Sequence, residues 1–352
     1  MDITTNAVDF NHLRQTASDC ALLLMATGYE DRACAFLKRL WPAGISHVLL
    51  LRYSAPPEEN ERSFDWVRRK LEELGQKSEV SWIPFDFKKS PQFAIDLEAK
   101  LRTMPIGKGR SIWIDISGLT NYGICMALQA CRKIFPYKDI KVFYTEAEDY
   151  YPSEGEYRKW LVRNRPGGLE NLPPSLTSEM SENLILDGFS GFTLRKDPTC
   201  LILYAGYEKH RSIGVIESIN PSKLVIIYGL SPDAGGLWRS QMSKELHATL
   251  VTERVRAEEE APLCSVGENM RLLTEYYDML YDDHNICIAP ICSKMQAVAT
   301  YLIWERFRDI QLAFPLPVHY LALRSSIGAR NTYQLQLPSL PGAEMFSSFP
   351  AS

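Results

Sequence analysis

Residues 20–38 read CALLLMATGYEDRACAFLK, and residues 200–218 read CLILYAGYEKHRSIGVIES. Each stretch runs from a continuous apolar segment, typical of a buried strand, through Gly-Tyr-Glu to an arginine in a helical segment. Two further pairs of segments match in the same order: 45–54 with 221–231, and 111–133 with 285–307. This ordered repetition predicts an internal duplication, in which two like halves share one cleft.

Apolar segments and helical patterns alternate in both halves. In the first half we predict strands near 20–26, 46–52, 80–85, 111–116 and 140–145, and helices near 30–41, 58–74, 91–103 and 120–135. In the second half we predict strands near 200–205, 223–228, 286–289 and 310–314, and helices near 208–219, 236–258, 267–281 and 293–308. Short strands without polar alternation are typical of a parallel sheet covered on both faces. The predicted fold is therefore α/β, with two tandem Rossmann-like three-layer units and mainly parallel sheets.

Domain boundaries follow from the same pattern. We predict a first half over 1–151, a linker or ordered excursion over 152–198 that is rich in Pro, Gly, Ser and Asn, a second half over 199–340, and a flexible tail over 341–352. The third strand of the second half is the least defined and is placed near 261–265. The run RVRAEEEAP (254–262) is interpreted as a solvated helix end. The segments FPLPVHYLAL and TYQLQLP are interpreted as two short strands joined by a turn.

Bulk composition excludes several classes of protein. The 352 residues suit two domains, and 45% apolar and 23% charged residues are ordinary for a globular chain. A net charge of −4 disfavours a role in coating nucleic-acid polymers. No apolar run reaches the roughly 18 residues of a membrane span, and the first residues lack the pattern of a signal peptide. Apolar surroundings predict reduced cysteines, and hence a cytoplasmic location.

The repeated cassette predicts a binding site. It consists of Gly28, Tyr29, Glu30 and Arg32 in the first half, and of Gly206, Tyr207, Glu208 and Arg211 in the second. Both groups follow a strand, and ligands of such folds bind outside the carboxyl ends of the strands. The alternative is structural, because glutamate at a helix start complements the helix dipole and glycine is ordinary in turns.

A second cluster follows the fourth strand of each half. In the first half it comprises Asp115, Ser117, Gly118, Thr120 and Asn121, and in the second half Ser293 and Lys294. A small hydroxyl-rich turn that opens a helix is a favourable seat for an anion or a phosphate. The alternative is a routine N-cap serine beside a solvated lysine. GxxxxGK[ST] and GxGxxG motifs are absent, and the histidines have no metal-ligand spacing, so we predict no cofactor and no metal.

The stretch Asp-Ile-Ser-Gly-Leu-Thr-Asn (115–121), at the end of the fourth strand, resembles the ligand-sensing turn of CARF domains. The tandem arrangement is similar to SAVED proteins, which look like two fused CARF units. That resemblance implies a sensor of cyclic oligonucleotide second messengers in prokaryotic antiviral defence. The second half departs from the pattern, since it has Ala289-Pro290 in place of the acidic residue and its neighbours.

Three functions follow from these observations. The first is a sensor or adaptor that binds a small anionic ligand, a nucleotide, and acts with a separate effector protein, as a monomer or a homo-oligomer. The second is a nucleotide-processing hydrolase or phosphodiesterase in which Glu30 and Glu208 face each other as acid and base. The third is a scaffold whose cassettes only cap helices.

Overall fold

The computed structural model divides the chain into two compact units. Unit 1 contains Met1–Glu148 together with Ser326–Ser352, and unit 2 contains Asp149–Ser325. The residues that the structure describes are 3–40, 45–54, 57–73, 79–86, 89–107, 110–163, 180–185, 188–191, 197–317, 326–337 and 339.

Strands and helices alternate along most of the described chain. The strands are β1 (Asn6–Ala7), β2 (Cys20–Thr27), β3 (His47–Tyr53), β4 (Glu79–Phe85), β5 (Ser111–Asp115), β6 (Ile140–Thr145), β7 (Asp149–Tyr150), β8 (Met180–Leu184), β9 (Thr199–Ala205), β10 (Lys223–Leu230), β11 (Val255–Pro262), β12 (Asn285–Pro290), β13 (Gln311–Leu312), β14 (Phe314–Pro317), β15 (Ser326–Ile327) and β16 (Thr332–Leu337). The helices are α1 (Phe10–Gln15), α2 (Ala35–Leu40), α3 (Pro57–Glu73), α4 (Ser90–Arg102), α5 (Asn121–Ile134), α6 (Glu154–Arg163), α7 (Lys209–Ile219), α8 (Leu237–His247), α9 (Val266–Leu280) and α10 (Lys294–Arg306).

Unit 1 is built on a seven-stranded sheet with the order β1-β16-β6-β5-β2-β3-β4. The five strands from β6 to β4 are parallel, while β16 runs antiparallel to β6 and β1 antiparallel to β16. The first of the parallel strands, β2, is buried along its whole length because strands flank it and helices cover both of its faces.

Helices cover both faces of the unit 1 sheet. On one face, α3 buries Phe64 and Leu71 in the same apolar cluster as the side chains of β2 and β3, at the helical spacing that predicts this helix. On the other face, the ring of Phe85 in β4 lies 4.3 Å from that of Phe93 in α4 and 5.4 Å from that of Tyr122 in α5. Each such buried side chain stabilises the fold by about 1.5–3 kcal/mol. The result is a three-layer unit.

Unit 2 is built on a five-stranded parallel sheet with the order β11-β10-β9-β12-β13. The connections through α7 and α8 add β10 and then β11 on one side of β9. Those through α9 and α10 lead to β12 and then β13 on the other side of β9. Because parallel crossovers are right-handed, the two pairs of helices cover opposite faces of the sheet.

The two sheets share one strand order. In each, the five parallel strands stand in the order third, second, first, fourth, fifth along the chain, which is the arrangement of Rossmann-like folds. The predicted α/β class with parallel sheets is therefore confirmed. An equal strand order is what a duplication would produce, and the duplication itself stays a prediction.

The acidic run near residue 258 departs from its interpretation as a helix end. It forms β11, the edge strand that pairs with β10, and α8 ends well before it at His247. The hydroxyl of Tyr228 donates to Glu258 and that of Tyr276 donates to Glu259, each over 2.8 Å. Strand pairing and these bonds override the helix preference of alanine and glutamate, and charged side chains suit an exposed sheet edge.

The segment between the halves contains regular structure, and the C-terminal segments differ from expectation. Residues 152–198 include the helix α6 and the strand β8, and β8 pairs antiparallel with β14. The two strands near the C-terminus do not form a hairpin, because β16 pairs with β6 in unit 1. Residues 326–337 thus belong to unit 1, whereas the predicted boundaries place them in the second half. The predicted tail over 341–352 lies outside the described residues.

Candidate functional site

The carboxyl ends of β2 and β5 bring the two predicted clusters of unit 1 together. A Cβ atom built on Gly28 would lie 3.9 Å from the Gly118 carbonyl oxygen, and one built on Gly118 would lie 2.5 Å from the Ala26 carbonyl oxygen. Position 118 therefore has no room for a side chain. The strand order reverses between β2 and β5, and ligands of open parallel sheets bind at this position.

Two side chains from β3 and α3 fix these loops. The Tyr53 hydroxyl donates to the Gly118 carbonyl and accepts from the Thr120 N–H, each over 3.0 Å. The Ser63 hydroxyl donates to the Gly28 carbonyl over 2.5 Å. Tyr53 and Ser63 are not among the site residues predicted from the sequence. The signal for Tyr53 is its position, since a polar side chain directly after a buried strand lies at the carboxyl edge of the sheet.

The cassette of unit 1 contains an internal ion pair. Two nitrogens of Arg32 contact the Glu30 carboxylate at 2.9 to 3.1 Å, and Arg32 also donates to the Tyr144 hydroxyl over 3.2 Å. The Ser326 hydroxyl donates to the other Glu30 oxygen over 2.7 Å. Only 15% of the Glu30 side chain is exposed, and it makes no capping bond to the turn of 3-10 helix that follows it. Tyr29 beside it is partly exposed.

Two of the second-cluster residues of unit 1 lie inside the protein. One oxygen of the buried Asp115 carboxylate accepts from the Ser117 N–H over 3.0 Å and from the Ser117 hydroxyl over 2.5 Å. The Ser117 oxygen in turn accepts from the Thr145 N–H over 2.7 Å. Asp115 and Ser117 thus join the end of β5 to the end of β6, and they shape the turn from beneath.

The other three residues of that cluster are at the surface. Gly118, Thr120 and Asn121 are each partly exposed. Thr120 is the N-cap of α5, and its hydroxyl accepts from the Gly123 N–H over 3.3 Å. The first turn of this 14-residue helix therefore begins at the reversal of strand order. The positive end of the helix dipole and its N–H groups favour an anion there.

The cassette of unit 2 repeats this arrangement with different spacing. A Cβ atom on Gly206 would lie 3.3 Å from the Ile291 carbonyl oxygen, so its loop and the turn after β12 again lie side by side. The Glu208 carboxylate and the Arg211 guanidinium form an ion pair at 3.2 Å. Arg211 also donates to the Pro315 carbonyl over 3.2 Å.

The cassette tyrosine of unit 2 packs beside a cation. The Arg239 guanidinium lies 5.8 Å from the Tyr207 ring centroid and 4.3 Å from that of Trp238. Arg239 also pairs with the Asp149 carboxylate at 2.6 Å. Burial raises the pKa of Tyr207, with Arg239 opposing the shift. Tyr207 therefore contributes to packing within unit 2, beside the arginine that binds Asp149.

The second turn of unit 2 is closed by capping. Ser293 is the N-cap of α10 and forms a reciprocal capping box with Gln296, and its hydroxyl also donates to the Leu263 carbonyl over 2.7 Å. The N-cap interpretation of Ser293 accounts for these bonds. Lys294 follows as the first helical residue and is partly exposed. Burial raises the pKa of the neighbouring Cys292 thiol to about 12, which keeps it protonated.

The paired glutamates are bonded within their own units. A general base needs a lone pair directed at the substrate proton, whereas Glu30 and Glu208 are each held by an arginine of the same cassette. These contacts favour a structural role for both carboxylates over acid–base chemistry. Within the described part of the chain, no group of three or more His, Cys, Asp or Glu side chains is arranged to hold a metal ion. No helix among the described residues is long and apolar enough to cross a membrane.

The sequence matches no protein-family model and no curated protein. Among solved structures, the fold is similar to that of a Type III CRISPR defence DNA nuclease activated by cyclic oligoadenylate. The TM-score is 0.52 at 12% identity, and the match covers 88% of this chain and 68% of the nuclease chain. The cytoplasmic domain of a prokaryotic cation chloride cotransporter also matches, over 85% of this chain and 96% of that chain. The TM-score of that match is 0.25 at 10% identity.

Proposed function

We propose that this protein is a sensor in a prokaryotic defence system and that it binds a cyclic oligonucleotide on unit 1. The ligand would contact the turn at 116–121 and the adjacent loop at 28–31, and the bound protein would act on a separate effector. The N-terminus of α5 carries the proposal, because it opens at the reversal of strand order and presents Gly118, Thr120 and Asn121 at the surface.

The chemistry of that position suits a phosphodiester. Backbone N–H groups and a helix dipole bind a phosphate without a strong basic patch, which agrees with the net charge of −4. Asn121 offers an amide that can donate and accept hydrogen bonds. The similarity in fold to a nuclease that cyclic oligoadenylate activates supports this class of ligand over other phosphates.

Unit 2 is the weaker candidate for binding. Its second turn lacks the Asp-Ile-Ser-Gly-Leu-Thr-Asn stretch, and the hydroxyl of its N-cap serine donates to the Leu263 carbonyl. We therefore assign the ligand contacts to unit 1 and propose that unit 2 supports the interaction with the effector.

Binding is tested by thermal shift and calorimetry with cyclic tetra-adenylate and cyclic hexa-adenylate, with linear oligoadenylate as a control. At a hundredfold excess over Kd, a ligand stabilises the folded protein by about 2.7 kcal/mol, so the melting temperature should rise. If neither cyclic probe raises it, the proposal is wrong.

The site is tested with Asn121→Asp. A carboxylate in the first turn of α5 is compatible with the helix dipole but repels a phosphate, so affinity should fall at least tenfold with little change in stability. Gly267→Asp is the matched control, since it adds the same charge to the first turn of α9 in unit 2. Equal losses of affinity in both variants would contradict the assignment to unit 1.

A further inference from the structure

The chain re-enters unit 1 through residues 326–331, which we call the re-entry segment. Two consecutive carboxylates of the loop after β2 hold it. The Ser326 hydroxyl donates to Glu30 over 2.7 Å, and the Gly328 N–H donates to Asp31 over 3.1 Å. The cassette loop of unit 1 is therefore bonded directly to the point where the chain returns.

The re-entry segment is also paired with the exit segment, residues 146–148, through which the chain leaves unit 1. The Glu148 N–H donates to the Ile327 carbonyl over 3.0 Å, and the Arg330 N–H donates to the Glu146 carbonyl over 2.8 Å. The Glu146 N–H donates to the Asn331 carbonyl over 2.9 Å. Exit and re-entry are thus joined by backbone bonds within unit 1.

Gly328 makes this close pairing possible. Its φ of +68° is in the left-handed region, and a Cβ atom there would lie 2.6 Å from a carboxylate oxygen of Glu148. Both the backbone conformation and the space require glycine. The re-entry segment therefore packs in one defined conformation against the exit segment and the cassette loop.

The acceptor in the cassette is rigidly placed. Glu30 is held by Arg32, which is itself buried and bonded to the Tyr144 hydroxyl at the end of β6. A charged acceptor that is already oriented binds a hydroxyl more strongly than a mobile surface carboxylate does. A displacement of the loop at 28–31 would therefore strain or break the hydrogen bond from the Ser326 hydroxyl to Glu30.

Unit 2 uses its own cassette in a related way. There the arginine makes the contact, since Arg211 donates to the Pro315 carbonyl in β14, the segment that follows the fifth parallel strand. Each cassette thus binds a segment that follows the parallel strands of its own unit along the chain. Unit 1 uses the Glu30 carboxylate, and unit 2 uses the Arg211 guanidinium.

We propose that Glu30 and Asp31 form a latch that couples the loop after β2 to the exit and re-entry segments of unit 1. A ligand that contacts Tyr29 or Gly118, which are partly exposed, would displace the bonds of Glu30 and Asp31 and so alter the exit and re-entry segments. The existence of the latch is independent of the proposed function, whereas its control by ligand rests on it.

The latch is tested by amide hydrogen exchange of residues 326–331 in the full chain without ligand. Ser326→Ala removes one donor to Glu30 and leaves the ion pair with Arg32 intact. Because hydrogen bonds to charged groups are among the stronger ones, exchange at Gly328 and Arg330 should become about tenfold faster or more. The matched control is Ser222→Ala, which removes a hydroxyl that donates to the Thr199 carbonyl in unit 2 and should leave this exchange unchanged.

Unchanged exchange at 326–331 in Ser326→Ala would overturn the latch. Its control by ligand is tested with cyclic tetra-adenylate at saturation. We expect protection at both 28–31 and 326–331 in the wild type, but only at 28–31 in Ser326→Ala. Equal protection of 326–331 in both proteins would refute the coupling. If the probe does not bind the wild type, the proposed function fails, while the ligand-free comparison still decides the latch.

Discussion

A buried histidine in unit 2 should make the protein unstable in mild acid. His247 is the last residue of α8 and is fully buried. Its Nδ1 lies 2.8 Å from the Ser243 carbonyl, which can only accept, so Nδ1 carries the proton. Its Nε2 then accepts from the Ser212 hydroxyl over 2.8 Å. Every hydrogen-bonding position of the neutral ring is therefore used, and a second proton on Nε2 would force the Ser212 hydroxyl to give up its role as donor.

The buried surroundings of His247 oppose protonation as well. Burial lowers the pKa of His247 from 6.5 to about 4, and the nearby ammonium of Lys209 adds to this shift, whereas the bond to the Ser243 carbonyl opposes it. The Tyr228 ring packs against the imidazole at 6.2 Å between centroids, and its hydroxyl is committed to Glu258. The imidazolium is therefore strongly disfavoured in the folded protein.

The sign and size of the effect follow from linkage. The pKa is lower in the folded state, so the unfolded chain binds the additional proton between pH 6.5 and about 4, and stability falls as the pH falls through this range. The difference between 6.5 and about 4, at about 1.36 kcal/mol per pH unit, corresponds to roughly 3 kcal/mol. Between pH 7.5 and 4.5 the loss should reach about 2–3 kcal/mol.

The assay must separate unit 2 from unit 1. We would follow methionine oxidation by peroxide against urea, because the thioether reacts when unfolding exposes it. Met242 in α8 reports unit 2, and Met25 in β2 reports unit 1, since both are fully buried. His247→Asn is the reference variant, because its amide can still donate to the Ser243 carbonyl but does not titrate.

The wild type should lose about 2–3 kcal/mol more than His247→Asn between pH 7.5 and 4.5 when Met242 is followed. Carboxylates that titrate in the same range act on both proteins and cancel in the comparison. The difference should be absent when Met25 is followed. An equal loss at Met242 in both proteins would refute the assignment of a neutral, proton-excluding imidazole.

Two substitutions in unit 1 test the turn after β5 with the same oxidation assay. Gly118→Ala should cost about 1–3 kcal/mol, because its Cβ would overlap a main-chain oxygen at the end of β2. The control Gly107→Ala should cost little, since no atom lies within 4 Å of the added methyl group. Ser117→Ala should cost about 2–3 kcal/mol, because the buried Asp115 and the Thr145 N–H each lose a bond. A cost below about 0.5 kcal/mol for Gly118→Ala or Ser117→Ala would contradict this description of the turn.

Hydrophobic patterning predicts the parallel core because burial dominates there. The strand expected near 140–145 is Ile140–Thr145, and the helix expected over 58–74 is Pro57–Glu73. Buried strands read as short apolar runs and amphipathic helices as a spaced apolar face. In both cases the side chains alone indicate the element.

Partners distant in sequence decide the elements that sequence patterning misses. β11 is a strand because β10 pairs with it and tyrosines bind its glutamates. β16 joins unit 1 because the edge of β6 accepts it. Neither cause is visible in the local sequence, where Ala-Glu-Glu-Glu-Ala favours helix and a strand near the C-terminus extends the nearest sheet.

In the candidate site, too, local patterns are predictable from the sequence and contacts with distant residues are not. Motif and position place Gly28 and Gly118 at one edge, and the structure brings them together. The partners of Glu30 could not be read from the sequence, since Ser326 is far along the chain. A buried aspartate such as Asp115 also looks like a surface ligand in sequence, because its bonds to Ser117 form only when the turn folds.

The order of the strands along the chain determines when the sheet of unit 1 can be completed during synthesis on the ribosome. β16 lies within the unit 1 sheet, yet it is translated after every strand of unit 2. From Thr145 at the end of β6 to Thr332 at the start of β16, translation at about 5–20 residues per second takes roughly 10–40 s. During that interval the nascent sheet of unit 1 carries an open edge, which invites pairing with other chains. The edge of β6 is closed only when β16 has been made and has paired with it.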